Sequence, residues 1–190
     1  MSRRSCIALS IVTLFLASVT IAQVKYFPPE FSDNWYAKHL SALKEPSLWE
    51  LSKVQKTQSY RFLWLRTFNH PVAIRVDVHI DGTSLLTTKM TSGAGGYDPG
   101  RLIQNAAVTL TREQTHWFLG QIQGHNFWKL PSVLETPGGP DGAQWVIEGV
   151  KDGAYHFVDR WSPKDGEIRA LGLFMVDELA KMELSAKEVY

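Results

Sequence analysis

The stretch SYRFLWLRTF, residues 59–68, limits the fold of this chain more than any other feature. It is aromatic or apolar almost throughout and lacks a clean polar face. It therefore reads as a strand that is central in its sheet or buried on both sides. The following segment, PVAIRVDVHIDGTSLLTTKM, does alternate. Val72, Ile74, Val76, Val78 and Ile80 fall on a core face, and Arg75, Asp77 and His79 on a wet one. Asp81-Gly82 has the turn chemistry that closes it into a hairpin. RLIQNAAVTL, residues 101–110, reads as a fourth strand.

Helical spacing appears in three places. Thr111 with Gln114 makes a capping box, and Thr115, Phe118, Leu119 and Ile122 then share one face until Gly124 ends the helix. EIRALGLFMVDELAKM carries Ile168, Leu171, Met175, Leu179 and Met182 on one stripe, which predicts a C-terminal helix packed on the sheet. Near the N-terminus, Ser32-Asp33 can cap a helix over NWYAKHLSALKE, and Pro46 stops it or opens a short turn at PSLWELSK. Strands in pairs with interspersed helices argue for an α+β fold. The prediction is a largely antiparallel sheet of about six strands, a central helix, a C-terminal helix and an N-terminal helical arm.

The first residues add a location. Arg3 and Arg4 precede an uncharged run from Cys6 to Ala22 that ends on the small residues Thr20 and Ala22, the layout of a cleaved export signal. The expected organisation is a signal over 1–22, a helical arm over 23–56 and one α+β domain over 57–190, in the periplasm or outside the cell. A retained anchor is the alternative, because the run is near bilayer-spanning length. Cys6 is the single cysteine, so the mature chain would have no disulfide, no thiol chemistry and no cysteine-bound metal. Loss of Arg3 and Arg4 leaves 18 of the 20 basic residues against 19 acidic ones, a balance without the footprint of nucleic-acid binding.

The most polar hairpin is IEGVKDGAYHFVDRWSP, residues 147–163. A three-residue turn at Lys151-Asp152-Gly153 would set Glu148 opposite His156, with Arg160 on the same face, away from a core side of Trp145, Ile147, Tyr155, Phe157 and Trp161. Glu148, His156 and Arg160 are thus the candidate acid/base group, with His156 as the base. A plain cross-strand pair explains them first, since no nucleophile or ligand set converges there. Asp159 on the aromatic side needs a buried donor such as a tryptophan N–H or Arg169.

The six histidines show no HxH, HExxH or HxxH spacing. Asp77 and His79 lie two apart on one strand face and offer two metal ligands without a third. SGAGGYDPG, residues 92–100, reads as a flexible loop that leads into a strand and not, as phosphate loops do, into a helix. LETPGGPDG, residues 134–142, reads as a second irregular loop. No G-x-S-x-G is present.

Most of the seven tryptophans sit in apolar patterns. Trp117 and Trp128, flanking Gly124-His125-Asn126, are the best exposed, so Trp117, His125, Trp128 and Tyr97 are the candidate binding residues. The expectation is an exported, non-catalytic binding or interaction module that engages an envelope protein or a small ligand. It needs no cofactor and no nucleic acid, and touches membrane only through an uncleaved signal. A small hydrolase or metal-dependent enzyme using the Glu148, His156 and Arg160 group is the alternative.

Overall fold

The computed structural model describes residues 24–31, 34–54, 56–134, 138–184 and 186–190. The export signal, the Ser32-Asp33 cap and residues 135–137 of the second loop lie outside them. Among the described residues no helix is long and apolar enough to cross a membrane.

The elements are α1 (Asn34–Ala42), α2 (Leu48–Ser52), β1 (Gln58–Arg66), β2 (Val72–Val78), β3 (Ser84–Thr91), β4 (Leu102–Leu110), α3 (Arg112–Gly124), β5 (Ala143–Lys151), β6 (Ala154–Trp161) and α4 (Glu167–Leu173), which widens into a π-helical turn over Phe174–Leu179. The strands form one antiparallel sheet in the order β4-β3-β2-β1-β5-β6. This is the α+β class expected, with six strands.

β1 lies between β2 and β5 and is buried at nearly every residue. The reason is that layers cover both faces. Tyr60, Phe62 and Trp64 point to one side, where they join Val72, Ile74, Trp145, Ile147 and Val158 under Phe118 and Ile122 of α3 and Ile168, Leu171 and Met175 near the C-terminus. Leu63 and Leu65 point to the other side, where Tyr26, Phe27, Leu40 and Leu43 of the N-terminal arm cover them with Ala73, Val146 and Phe157. Each large side chain removed from water stabilises the fold by roughly 1.5–3 kcal/mol, so both layers are needed to justify so apolar a strand.

Local chemistry fixes the covering elements. Thr111 and Gln114 form the expected capping box, and Ser84 and Thr115 share a buried hydrogen bond of 2.8 Å that ties α3 to β3. Ser47 accepts from the Glu50 N–H and starts α2 immediately after Pro46. α1 ends at Ala42, short of the expected Glu45, because Lys44 turns left-handed (φ 52°) and the Glu45 N–H returns to the Leu40 carbonyl at 2.9 Å. That closure has the six-to-one bond of a Schellman cap. It swings Glu45 down onto the sheet. The C-terminal tail is held similarly, with the Trp145 indole donating to the Tyr190 carbonyl at 3.0 Å and the Tyr190 hydroxyl to Asn69 at 2.8 Å.

Two expectations are corrected here. The glycine stretch 92–100 is a packed structure rather than a plain flexible loop: the Gly95 N–H donates to the Asn69 carbonyl at 2.9 Å and the Gly96 N–H to the Thr67 carbonyl at 3.1 Å. A Cβ on Gly95 would fall 2.6 Å from the Arg66 backbone, so glycine is present for close approach and not for freedom of movement. The second correction concerns the β5-β6 hairpin. Its turn has two residues, Asp152 (φ 50°) and Gly153 (φ 84°), and Lys151 pairs with Ala154. Two left-handed residues are the hairpin geometry that matches strand twist.

Candidate functional site

The two-residue turn slips β6 by one position from the expected register, and a slip of one sends every side chain to the opposite face. Glu148 pairs with Phe157, and Gly149 with His156. Glu148 therefore points toward the arm, while His156 and Arg160 point to the α3 side. Tyr155 and Phe157, expected on the helix-covered core face, lie under the arm instead. The acid/base group of Glu148, His156 and Arg160 is not brought together.

What Glu148 joins instead is a buried charge cluster. Arg61 donates through Nε to Glu148 Oε2 at 2.8 Å and through Nη2 to the same oxygen, and the Tyr155 hydroxyl donates to Oε1 at 2.9 Å. Arg61 also donates to the Pro46 carbonyl at 2.6 Å and approaches Glu45 at 3.5 Å. Glu45, delivered by the left-handed turn at Lys44, further pairs with Arg75 at 2.9 Å and Lys89 at 2.8 Å. Burial works against its charge, but Arg61 and Arg75 outweigh that and hold the Glu45 carboxyl below the usual range. Glu148 goes the other way, since burial pushes its carboxyl up against the pull of Arg61. This cluster bolts the arm to the sheet and leaves no group free to meet a substrate.

The remaining predicted residues scatter. His156 packs against Phe127 (5.1 Å between ring centroids) and Trp128 (6.1 Å), and burial lowers its pKa. Arg160 donates to the carbonyls of Pro131 and Ser132. Asp159 does find donors, yet they are the Tyr36 hydroxyl at 2.9 Å and the Gln144 amide, while Arg169 donates to the Pro163 carbonyl. Asp77 accepts from Ser59 at 2.7 Å and from Arg75, and His79 lies beyond the end of β2, exposed, with Thr83 at 3.2 Å. Among the described residues no three His, Cys, Asp or Glu side chains group as a metal site. Tyr97 is exposed beside Phe68 and far in sequence from the tryptophans, with Lys38 donating to its carbonyl at 2.8 Å.

Trp117 and Trp128 do not share one surface. Trp117 is exposed at the β4 side, edge-on to Phe174. Trp128 lines a cavity of about 590 Å³ on the β1 side of α3. Tyr60 and Gln58 enter it from β1, His116, Leu119 and Gly120 from α3, and Phe127, Trp128 and Lys129 from the 3-10 turn over Phe127–Lys129. Asn126 (φ 51°) makes the left-handed step that turns the chain from α3 into that segment, immediately after the α3 cap at His125. His125 itself is not among the lining residues.

Two glycines shape the cavity. A Cβ on Gly149 would lie 2.7 Å from the Phe127 ring and 3.0 Å from Tyr60, so the bare strand lets both rings, edge-on to one another, close onto it. A Cβ on Gly120 would meet nothing within 4 Å, so that glycine simply leaves space. The Tyr60 hydroxyl accepts from Gln58 at 3.1 Å, and burial raises its pKa. The lining includes His116, Lys129 and Lys151 but no carboxylate. Sequence reasoning missed Tyr60, Gln58 and Lys151, whose strand pattern signals only burial or a hairpin end.

Comparison with protein-family models finds none that matches this chain, and comparison with curated proteins finds no match either.

Proposed function

We propose that this protein is a non-catalytic binding module of the cell envelope that holds a small apolar acid in the cavity between α3 and β1. The observation that carries the reading is the chemistry of the lining. Tyr60, Phe127 and Trp128 offer an aromatic floor, Gln58, Gln123 and Asn126 offer amides, and Lys129 and Lys151 supply positive charge unopposed by any lining carboxylate. Pockets of this size that combine apolar walls with placed polar groups are the usual form of small-ligand sites. An acid would bury its hydrocarbon body on the rings and leave its anionic end near the lysines. Export rests on the uncharged run after Arg3 and Arg4. Catalysis by Glu148, His156 and Arg160 draws no support from the register that separates them.

The test is thermal unfolding with phenylacetate and hexanoate, each beside its neutral alcohol. A ligand at a hundred times its Kd stabilises by about 2.7 kcal/mol, a readily measured shift in Tm. The acids are expected to raise Tm more than the alcohols, and the Lys129→Ala, Lys151→Ala double variant to erase that difference. Gly120→Leu fills the open space while improving helix propensity by up to about 1 kcal/mol, so it should fold well and bind nothing. Shifts that persist in Gly120→Leu, or no shift with any acid, would overturn the reading.

A further inference from the structure

The two edges of the sheet are treated differently. At β6, the Asp159 N–H donates to the Ser132 carbonyl at 2.7 Å, Val133 bridges to the same residue, and Arg160 reaches the carbonyls of Pro131 and Ser132. That edge is covered at Asp159 and Arg160. β4 pairs with β3 alone, and its residues 103–109 are exposed in succession. Natural edges are usually blunted by lysine, proline or a covering loop, yet the sequence LIQNAAVTL has none of these and no charge. Its one irregularity, a register shift at Met90/Thr91, lies at one end and leaves 104–110 regular.

The direction of the free backbone groups follows from the ladder. His79 bonds Thr83 and Thr91 bonds Pro71, so on β3 the residues 85, 87, 89 and 91 turn toward β2 and 84, 86, 88 and 90 toward β4. Their partners Gln104, Ala106, Val108 and Leu110 are thus committed inward, and Asn105, Ala107 and Thr109 turn their N–H and C=O groups outward.

We infer that β4 is the interface of a twofold dimer, in which two copies pair antiparallel about Ala107 and the two sheets become one. In that register Ala107 meets Ala107 and Asn105 meets Thr109, so the outward groups of both copies close about six hydrogen bonds. Only the residue on the axis meets its own copy, and neither Ala107 nor any other residue of this strand carries a charge that the pairing would have to bury. Ala106 falls opposite Val108 on the α3 side, next to a groove lined by Leu86, Leu110, Trp117 and Leu179. The exposed Trp117 flanks that seam and would be covered by the second copy. An isologous contact uses the same strand on both copies, so the pairing closes at two and does not propagate.

Sedimentation velocity of the purified protein over a concentration series tests this, with Ala107→Lys as the disrupting variant. The wild type is expected to dimerise reversibly, and the variant, which puts two ammonium groups at the twofold axis, to associate at least about tenfold more weakly with unchanged circular dichroism. Register is read separately in a Cys6→Ser background. Residues facing across a hydrogen-bonded pair have Cα atoms about 5.5 Å apart, within disulfide range, so Ala107→Cys should oxidise to a covalent dimer. Gln104→Cys should not, because the two copies of position 104 lie about 20 Å apart along the strands. A wild type that stays monomeric throughout the series, or a dimer that survives Ala107→Lys and cross-links through Gln104→Cys, would overturn the inference. Neither result depends on the ligand reading.

Discussion

Replacing His39 by leucine should remove most of an acid-induced loss of stability that the arm builds into the fold. His39 is fully buried on α1 with no hydrogen-bond partner at either ring nitrogen, and Trp35 lies edge-on to it at 5.2 Å. Burial lowers its pKa from 6.5 to about 4, Lys38 adds to the effect and Asp98 opposes it. In the unfolded chain the imidazole protonates near its ordinary value, so between pH 6.5 and 4 the unfolded state binds the extra proton. Stability contributed by the neutral ring is complete above 6.5 and is lost as the pH falls toward 4. At 1.36 kcal/mol per pKa unit the term amounts to about 3 kcal/mol. Urea unfolding followed by tryptophan fluorescence at pH 7, 6, 5 and 4 gives the two stability curves. Carboxylates common to both proteins cancel in the difference, which should shrink or reverse by about 3 kcal/mol across the window in favour of His39→Leu. Parallel curves would refute the reasoning, because they would mean that His39 charges without cost where it stands.

Further expectations concern the charge cluster and the cavity floor. Arg61→Leu strands the Glu148 carboxylate in the interior and should cost about 3–5 kcal/mol at neutral pH. Since the Glu148 pKa is already raised by burial, the deficit should narrow as the pH falls and the carboxyl takes a proton, which urea unfolding at pH 7 and pH 5 would measure. Gly149→Ala forces the Phe127 and Tyr60 rings apart and should cost about 1–3 kcal/mol in thermal or urea unfolding, with weaker binding of any acid the cavity takes.

The cluster also explains why so polar a set of side chains resists a functional interpretation. Arg61, Arg75, Asp77 and Lys89 sit on the sheet face that the arm covers, and Glu45 reaches them only because α1 stops at Ala42 and Lys44 takes a left-handed turn. Charges buried in pairs seldom add net stability over apolar packing, but they tolerate one geometry. Here that geometry fixes where the arm lies, and with it the burial of Leu40, Leu43 and His39.

What the sequence by itself determined is local. The two-sided burial of β1, the turn at Asp81-Gly82 and the Thr111 capping box depend on residues within a few positions of one another, and periodicity or cap chemistry records them directly, although Ile80, read as a core residue, belongs to that turn and is exposed. The α+β class follows from the order of those elements. What only the tertiary structure decided is which residues meet across long separations. Lys151-Asp152-Gly153 suits a two- or a three-residue turn, and that difference of one residue moved His156 away from Glu148 and Phe157 to the arm side. The glycines of 92–100 spell flexibility when read alone, whereas the backbone of residues 65–67 packed against Gly95 and Gly96 demands their lack of a Cβ. The cavity gathers Gln58, His116, Trp128 and Lys151 from separate elements, so no spacing along the chain announces it. Local free energies leave their mark on neighbouring residues. Register, burial and shared cavities are settled only when distant segments compete for the same space.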